Sequence, residues 1–442
     1  MEQKLVVAAD FGNGKVAVAA AFKNEQNQIE MIDFRSKSGE NLISDGKIVD
    51  ETALTREVSA MIQQIERDNN LQIDKVHFAV APHTLRSEIR KVNTETNDPL
   101  TDINEELIDK AEEIEISYSR CVFGAVPLEI TTVGNSKAEG NFLIISSQNA
   151  VQQQFKNLEN SVLSVYKPKC FVAPLIEAEQ FLNSGQKKNG ALLVDIGLGC
   201  TSFAVYQGGL PRLCAVLPLG SKHITGDIMK TFNVGKNNAE ALKTDPKFGL
   251  ATTKNLTIGT VSIKADELKM VISARLNEIF KFIFDEIKNQ KLETVREIVL
   301  VGGGSKMIFL PEYLKKISGA EVKIANFDVV TNSKTENFVC SQNALLFALL
   351  RHCDETCGKI KQVKEVEMVV PPKETEKERR ERERKEAKEK KKIDKEAERE
   401  RKKNLLQRTI DFLEEKIGSV KEEGIFADET LLDGNSKINE EN

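Results

Sequence analysis

Leu5-Val6-Val7-Ala8-Ala9-Asp10-Phe11-Gly12-Asn13-Gly14-Lys15 is the stretch from which the rest of this 442-residue chain is read. Its apolar run has the length of a buried strand, and a second apolar run, 16–22, follows at once. The glycines between them supply the backbone freedom of a tight turn, or the room for a ligand to reach main-chain N–H groups. Strand, turn, strand is therefore expected. Taken alone, Asp-x-Gly-x-Gly is an ordinary hairpin signal. It gains meaning further on, where Ala191-Leu192-Leu193-Val194 runs into Asp195-Ile196-Gly197-Leu198-Gly199-Cys200-Thr201 and residues 202–206 form the return strand. The same hairpin has come back 185 residues later.

A duplication at domain spacing implies two related α/β domains, each presenting a hairpin to a shared cleft. Backbone N–H groups of a glycine turn make an anion-holding concavity, and aspartates beside a polyphosphate need a cation between them. Asp10 and Asp195 are accordingly expected to orient Mg²⁺ through its waters. A third element, Ile298-Val299-Leu300-Val301-Gly302-Gly303-Gly304-Ser305, is a buried-type strand ending in three glycines, suited to touch a base or a phosphate at the mouth of a crevice. Between hairpin and triglycine lies Ala239-Glu240-Ala241-Leu242-Lys243, where Glu240 and Lys243 share a helix face and form either a ribose grip or a surface ion pair.

Composition locates the remaining features. Residues 373–403 hold 16 Lys and Arg against 11 Asp and Glu, residues 404–442 hold 4 against 10, and the body is mildly acidic. Such a body offers no basic surface for wholesale nucleic-acid binding. No apolar run approaches a membrane span, Asp10 interrupts any leader-like segment, and a cytoplasmic location is expected. Seven scattered cysteines read as reduced and mostly packed. Cys353 and Cys357 are spaced to share a helix face, yet two thiols without two further ligands make a poor zinc site. His83 and His223, with no nucleophile motif beside them, read as structural.

The order of phosphate hairpin, phosphate hairpin, Glu-x-x-Lys helix and glycine-rich turn resembles the actin, sugar kinase and heat-shock chaperone superfamily, and within it most closely the FtsA family of bacterial cell-division actin homologues. The resemblance is carried by Ser44-Asp45-Gly46-Lys47-Ile48-Val49-Asp50, by Pro218-Leu219-Gly220-Ser221-Lys222-His223-Ile224-Thr225-Gly226-Asp227-Ile228, and by residues 239–243 with Phe248-Gly249-Leu250-Ala251. Arg275-Leu276-Asn277-Glu278-Ile279-Phe280 and residues 301–305 complete it. It implies duplicated actin-like (ribonuclease H-like) α/β domains around a nucleotide cleft, with a small inserted α/β subdomain and a helical C-terminal tail. The implied units are 1–83 (first actin-like domain), 84–165 (inserted side subdomain), 166–352 (second actin-like domain with the peptide-binding lobe), 353–403 (charged spacer), 404–420 (amphipathic helix) and 421–442 (acidic disordered tail).

Carried over position by position, the resemblance implies ATP with Mg²⁺ held by a first phosphate loop of Asp10, Gly12, Asn13, Gly14 and Lys15. The second loop is Asp195, Gly197, Gly199, Cys200 and Thr201. Glu240 and Lys243 take the ribose and adenine contacts, and Gly302, Gly303, Gly304 and Ser305 the adenine-side turn. Arg275 and Glu278 match positions that hold the C-terminal peptide of the tubulin-like ring protein FtsZ; a solvated ion pair is the bland reading of the same two residues. Further implied partners are other copies in a filament, other division proteins and the inner face of the cytoplasmic membrane at the division site. Leu198, Cys200 and Ser202 depart from the family pattern, which implies nucleotide binding with at most slow ATPase turnover, because Leu198 offers nothing polar to a phosphate or metal shell. The 84–165 region matches poorly and looks shortened around 126–140.

In the tail, opposite charges at i, i+4 across 373–403 form either a semi-rigid helical spacer or a frayed disordered one. Beyond it Leu406, Ile410, Leu413, Ile417 and Val420 step by four and three residues, with Leu405 and Phe412 at the edge of the stripe. The resemblance implies a membrane-seated amphipathic helix; folding back on the body or onto a protein partner is the other reading. Two further functions share the superfamily. A small-molecule kinase would need a carboxylate base and a sugar pocket, and a pilus-assembly-type scaffold would not be expected to end in this spacer and helix.

Overall fold

A computed structural model of the chain describes residues 3–95, 102–133, 136–161, 166–167, 169–245, 254–259, 261–293 and 295–361. The chain opens with β1 (Lys4–Phe11), β2 (Val16–Lys23) and β3 (Ile29–Lys37), a small hairpin β4 (Ile43–Ser44) and β5 (Lys47–Ile48), then α1 (Glu51–Asp68), β6 (Leu71–Ile73) and β7 (His77–Val80). Next come β8 (Arg86–Glu95), α2 (Ile103–Glu112), β9 (Arg120–Val133), β10 (Lys137–Gln148) and α3 (Asn149–Asn160). They lead to β11 (Lys169–Val172), α4 (Ala173–Phe181), α5 (Ser184–Asn189), β12 (Ala191–Ile196), β13 (Thr201–Gln207), β14 (Leu210–Leu217), α6 (Ser221–Phe232) and α7 (Lys236–Thr244). The last third holds β15 (Asn255–Ile258), β16 (Val261–Lys264), α8 (Ala265–Asn289), β17 (Glu297–Val301), α9 (Leu310–Ser318), β18 (Glu321–Ile324), α10 (Ala344–His352) and β19 (Gly358–Ile360).

The strand order makes the duplication visible. In the first sheet an antiparallel meander β3-β2-β1 is extended by parallel β7 and β11; in the second, β14-β13-β12 is extended by parallel β17 and β18. The two lobes are one topology used twice. Both central hairpins read as continuous apolar runs because each sheet is covered on both faces, so Val6–Ala9 and Ala191–Val194 are buried throughout. The apolar stripe of α8 (Leu268, Ile272, Leu276, Ile279, Phe280, Ile283) is buried against the second sheet, as its helical spacing requires.

Inserted between the lobes, β8, β10 and β9 form an antiparallel layer with α2 packed on it around Val92, Leu107, Phe142 and Ile144. This layer joins the second sheet through one pairing, Ala215 with Arg86. The unit boundaries expected from sequence shift at two places. Helix α3, inside the expected 84–165 subdomain, buries Val151, Phe155 and Leu158 in the first lobe's core. Strand β11 and helix α10, inside the expected 166–352 domain, also belong to the first lobe, with Phe347 and Leu350 in that same core. The physical reason is closure: the first sheet's parallel edge and one of its covering helices come from chain that has already passed through the other units. Residues 353–361, expected to begin the spacer, instead pack on the first lobe, with Cys353 and Cys357 in its core and β19 paired with β6; the rest of the spacer, the amphipathic stripe (Leu406, Ile410, Phe412, Leu413, Ile417, Val420) and the acidic tail lie outside the described residues, as does the Phe248-Gly249-Leu250-Ala251 signature.

Candidate nucleotide cleft

The two glycine turns close with the same hydrogen bond: Gly12 N donates to Lys15 O at 2.9 Å and Gly197 N to Cys200 O at 3.0 Å. Asp10 pairs with Ala17 and Asp195 with Ser202, so each aspartate sits one step before its turn on the inner strand. The turns approach one another. A side-chain carbon added to Gly199 would overlap Asn13 of the opposite hairpin, and one added to Gly14 would meet Leu198 at 3.5 Å.

Between them lies a cavity of about 370 Å³, within the range of small-ligand sites. It is lined by both hairpins (Asp10, Gly12, Asn13, Gly14, Lys15 and Asp195, Gly197, Gly199, Cys200), by Glu240 and Lys243, and by Gly302 and Gly303. Most residues singled out from sequence thus converge on one space. Three do not line it. Thr201 is buried and donates to Leu219 O at 2.7 Å, Gly304 packs against Ile196, and the Ser305 hydroxyl donates to Gly302 O at 2.7 Å; these shape the turns from behind.

Gly302 has φ +80 and a side chain there would overlap the Asp195 carboxylate, so glycine is required. Lys243, buried, donates to Thr225 Oγ1 at 2.9 Å and pairs with Glu240 Oε2 at 2.8 Å, while Glu240 stays partly exposed. Burial pulls the Lys243 ammonium down from its ordinary range and Glu240 pulls it back.

At the floor of the cleft three carboxyls gather. Glu177, on α4, is buried with neither oxygen hydrogen-bonded, and Asp195 Oδ1 is likewise without a partner. Burial and then the neighbouring Asp195 and Asp10 push Glu177 well above the usual carboxylate range. Asp195 is raised to about 7 by burial and by Asp10. Asp10 is raised by burial against the pull of Lys15, whose own ammonium is lowered by burial. Buried oxygens lacking partners beside glycine turns cut to backbone are the features that a cation with bound phosphates would satisfy, so the residues present fit both groups.

Sequence reading missed Glu177, Gly46, Lys306 and Gln342, the last three of which line the cavity. Glu177 carried only a weak signal, an acid directly after the apolar run Ala173-Pro174-Leu175-Ile176 with Glu179 two residues on. Of the departures noted in the second hairpin, Leu198 faces Gly14, and burial raises the Cys200 thiol to about 12, so it remains protonated. His223 is structural: its Nδ1 accepts from Gly220 N at 3.0 Å and caps α6. Away from the cleft, Arg275 on α8 forks onto Asp227 of α6 at 2.8 and 3.1 Å and also pairs with the largely exposed Glu278.

Among solved structures, the PilM–PilN type IV pilus biogenesis complex superposes with a TM-score of 0.57 at 17% identity, covering 78% of this chain and 98% of that one. At that identity the likeness is one of fold. Two lobes of one topology, each offering a glycine hairpin to a common cleft, define an actin-like fold. The family model described as cell division protein FtsA matches residues 192–342. Curated FtsA proteins match over most of their length. That of Borreliella burgdorferi is 22% identical over 82% of this chain and 94% of its own; that of Enterococcus hirae is 26% identical over 72% and 78%. The chain is thus similar to the FtsA proteins over most of their length and shares the actin-like fold.

Proposed function

We propose that this actin-like protein binds ATP with Mg²⁺ in its cleft and serves bacterial cell division as a scaffold. It assembles on the inner face of the cytoplasmic membrane through its C-terminal amphipathic helix and tethers FtsZ by that protein's C-terminal peptide. The observation that carries the reading is the pair of matched hairpins facing one another across buried, partnerless carboxylate oxygens. Turn amides of Gly12–Lys15 and Gly197–Cys200 would hold the phosphates from opposite lobes, and Asp10 and Asp195 would orient the waters of Mg²⁺, which neutralises phosphate charge when bound. Glu177 holds a proton beside Asp195 and keeps the apo site from accumulating charge. Because the phosphates touch both lobes, occupancy couples to lobe closure. Leu198 at the second turn supports scaffold duty over rapid turnover. Arg275 and Glu278 are the proposed peptide site, resting on their match to the family positions.

The test is calorimetry of the full chain with ATP and Mg²⁺. About one nucleotide per chain is expected, lost on Asp10→Ala with Asp195→Ala. Undiminished binding by the double variant would remove the cleft as the site.

A further inference from the structure

Outside the cleft, the described residues bring one other reactive group together. His77 on β7, Cys353 after α10 and Cys357 before β19 are all buried, and one ligand atom from each lies within 4.8 Å of the others. They come from positions 276 residues apart, joined only by the fold.

A buried imidazole normally satisfies at least one nitrogen, because leaving a polar group unpaired in an apolar interior costs stability. Neither ring nitrogen of His77 meets an oxygen or nitrogen partner. Sulfur is what the ring faces, with Phe171 beside it. The two sulfurs are 3.7 Å apart. A disulfide would bring them to about 2 Å. Two thiolates at 2.3 Å from one tetrahedral ion stand roughly 3.8 Å apart, the separation found here. A fourth donor, which the spacing of the two cysteines alone did not offer, would come from the Glu355 carbonyl oxygen, 3.2 Å from Cys353 Sγ and 4.0 Å from Cys357 Sγ.

We propose that His77, Cys353 and Cys357, completed by the Glu355 carbonyl, form a buried site for one thiophilic d¹⁰ cation such as Zn²⁺. On binding, both thiols release their protons to solvent and the imidazole ligates in its neutral form, with no change of oxidation state. The ion would act as a clasp. Cys357 N already donates to Leu5 O at 2.6 Å, its carbonyl accepts from Asp74 N and Lys75 N, and Gly358–Ile360 pairs with Leu71–Ile73. A metal bridging His77 to this segment fixes, on the first lobe's sheet, the point from which residues 362 onward depart.

The test uses the full chain purified under reducing conditions. After loading with Zn²⁺ and dialysis against metal-free buffer, it should retain about one Zn²⁺ per chain by atomic emission. Loading with Cd²⁺ instead should produce ultraviolet thiolate-to-metal charge-transfer absorption. Cys353→Ser should abolish both signals, and His77→Gln should weaken Zn²⁺ affinity at least about tenfold. Retention that survives Cys353→Ser combined with Cys357→Ser would overturn the proposal, as would a Cys353–Cys357 disulfide forming in air despite Zn²⁺. Should the serine variant fail to fold, the wild-type Cd²⁺ spectrum decides: no charge-transfer band, no site.

Discussion

Glu177 shows what a single carboxyl does to this fold. Buried among Asp10 and Asp195, it keeps its proton at pH values where the unfolded chain, with a carboxylate pKa of about 4, has released it. Stability therefore falls as pH rises from that value, because the native state binds the extra proton. For Asp195 the fall runs up to its native value of about 7. Glu177→Gln removes the titration and leaves an amide that donates to Asp195. It is expected to raise Tm by about 2 °C or more at pH 8 and to change it little at pH 5, as read by thermal melts. Gly302 is the complementary case. Gly302→Ala places a carbon against the Asp195 carboxylate at φ +80, and a loss of about 1–3 kcal/mol in denaturant unfolding is expected, with weaker nucleotide binding in calorimetry.

At the scale of elements, α8 presents two faces with different duties. Its apolar stripe is second-lobe core, whereas Arg275 stands on the outer side and ties α8 to α6 through Asp227. Exposed and half-exposed pairs of this kind contribute no more than about 1 kcal/mol. Arg275→Glu is thus expected to leave Tm within a few degrees while abolishing pull-down of the FtsZ C-terminal peptide; equal capture by both proteins removes the assignment. Residues 406–420, outside the described residues, carry the apolar stripe of the proposed membrane helix. Each fully buried side chain is worth about 1.5–3 kcal/mol at most, so a single helix there would bind reversibly and an assembled array would bind far more tightly. In liposome co-sedimentation, a chain stopped at Lys403 should stay in the supernatant, and ATP should increase pelleting only of the full chain.

At the scale of the whole molecule, the lobes share a packed junction where Phe181 of α4 stacks on Phe347 of α10, and they meet again at the mouth of the cleft. Asp45 of the first lobe pairs with Lys222 of the second at the lip of the cleft, with Asn13 accepting from Asp45 N at 3.2 Å. Lys222→Asp should lower nucleotide affinity roughly three- to tenfold and widen the lobes in small-angle scattering. The exchange Asp45→Lys with Lys222→Asp should restore both. Both residues fell within quoted sequence signatures, yet nothing in the sequence paired them. The hairpins were legible because a glycine turn between apolar runs is a local device: residues 10–15 and 195–201 dictate their own conformation whatever surrounds them. Gly304 and Ser305 sit on the expected turn but back the cavity instead of lining it, since facing it or backing it depends on packing against Ile196 and on the Ser305 bond to Gly302 O. Local chemistry in the chain thus determined two domains, their glycine turns and the apolar stripe of α8. Only the tertiary structure decided that Glu177 lies beneath both aspartates, that β11 and α10 return to the first lobe, and that His77 meets Cys353 and Cys357. Each of these depends on which distant segments are brought within a few ångströms, and burial, not residue type, then sets the chemistry.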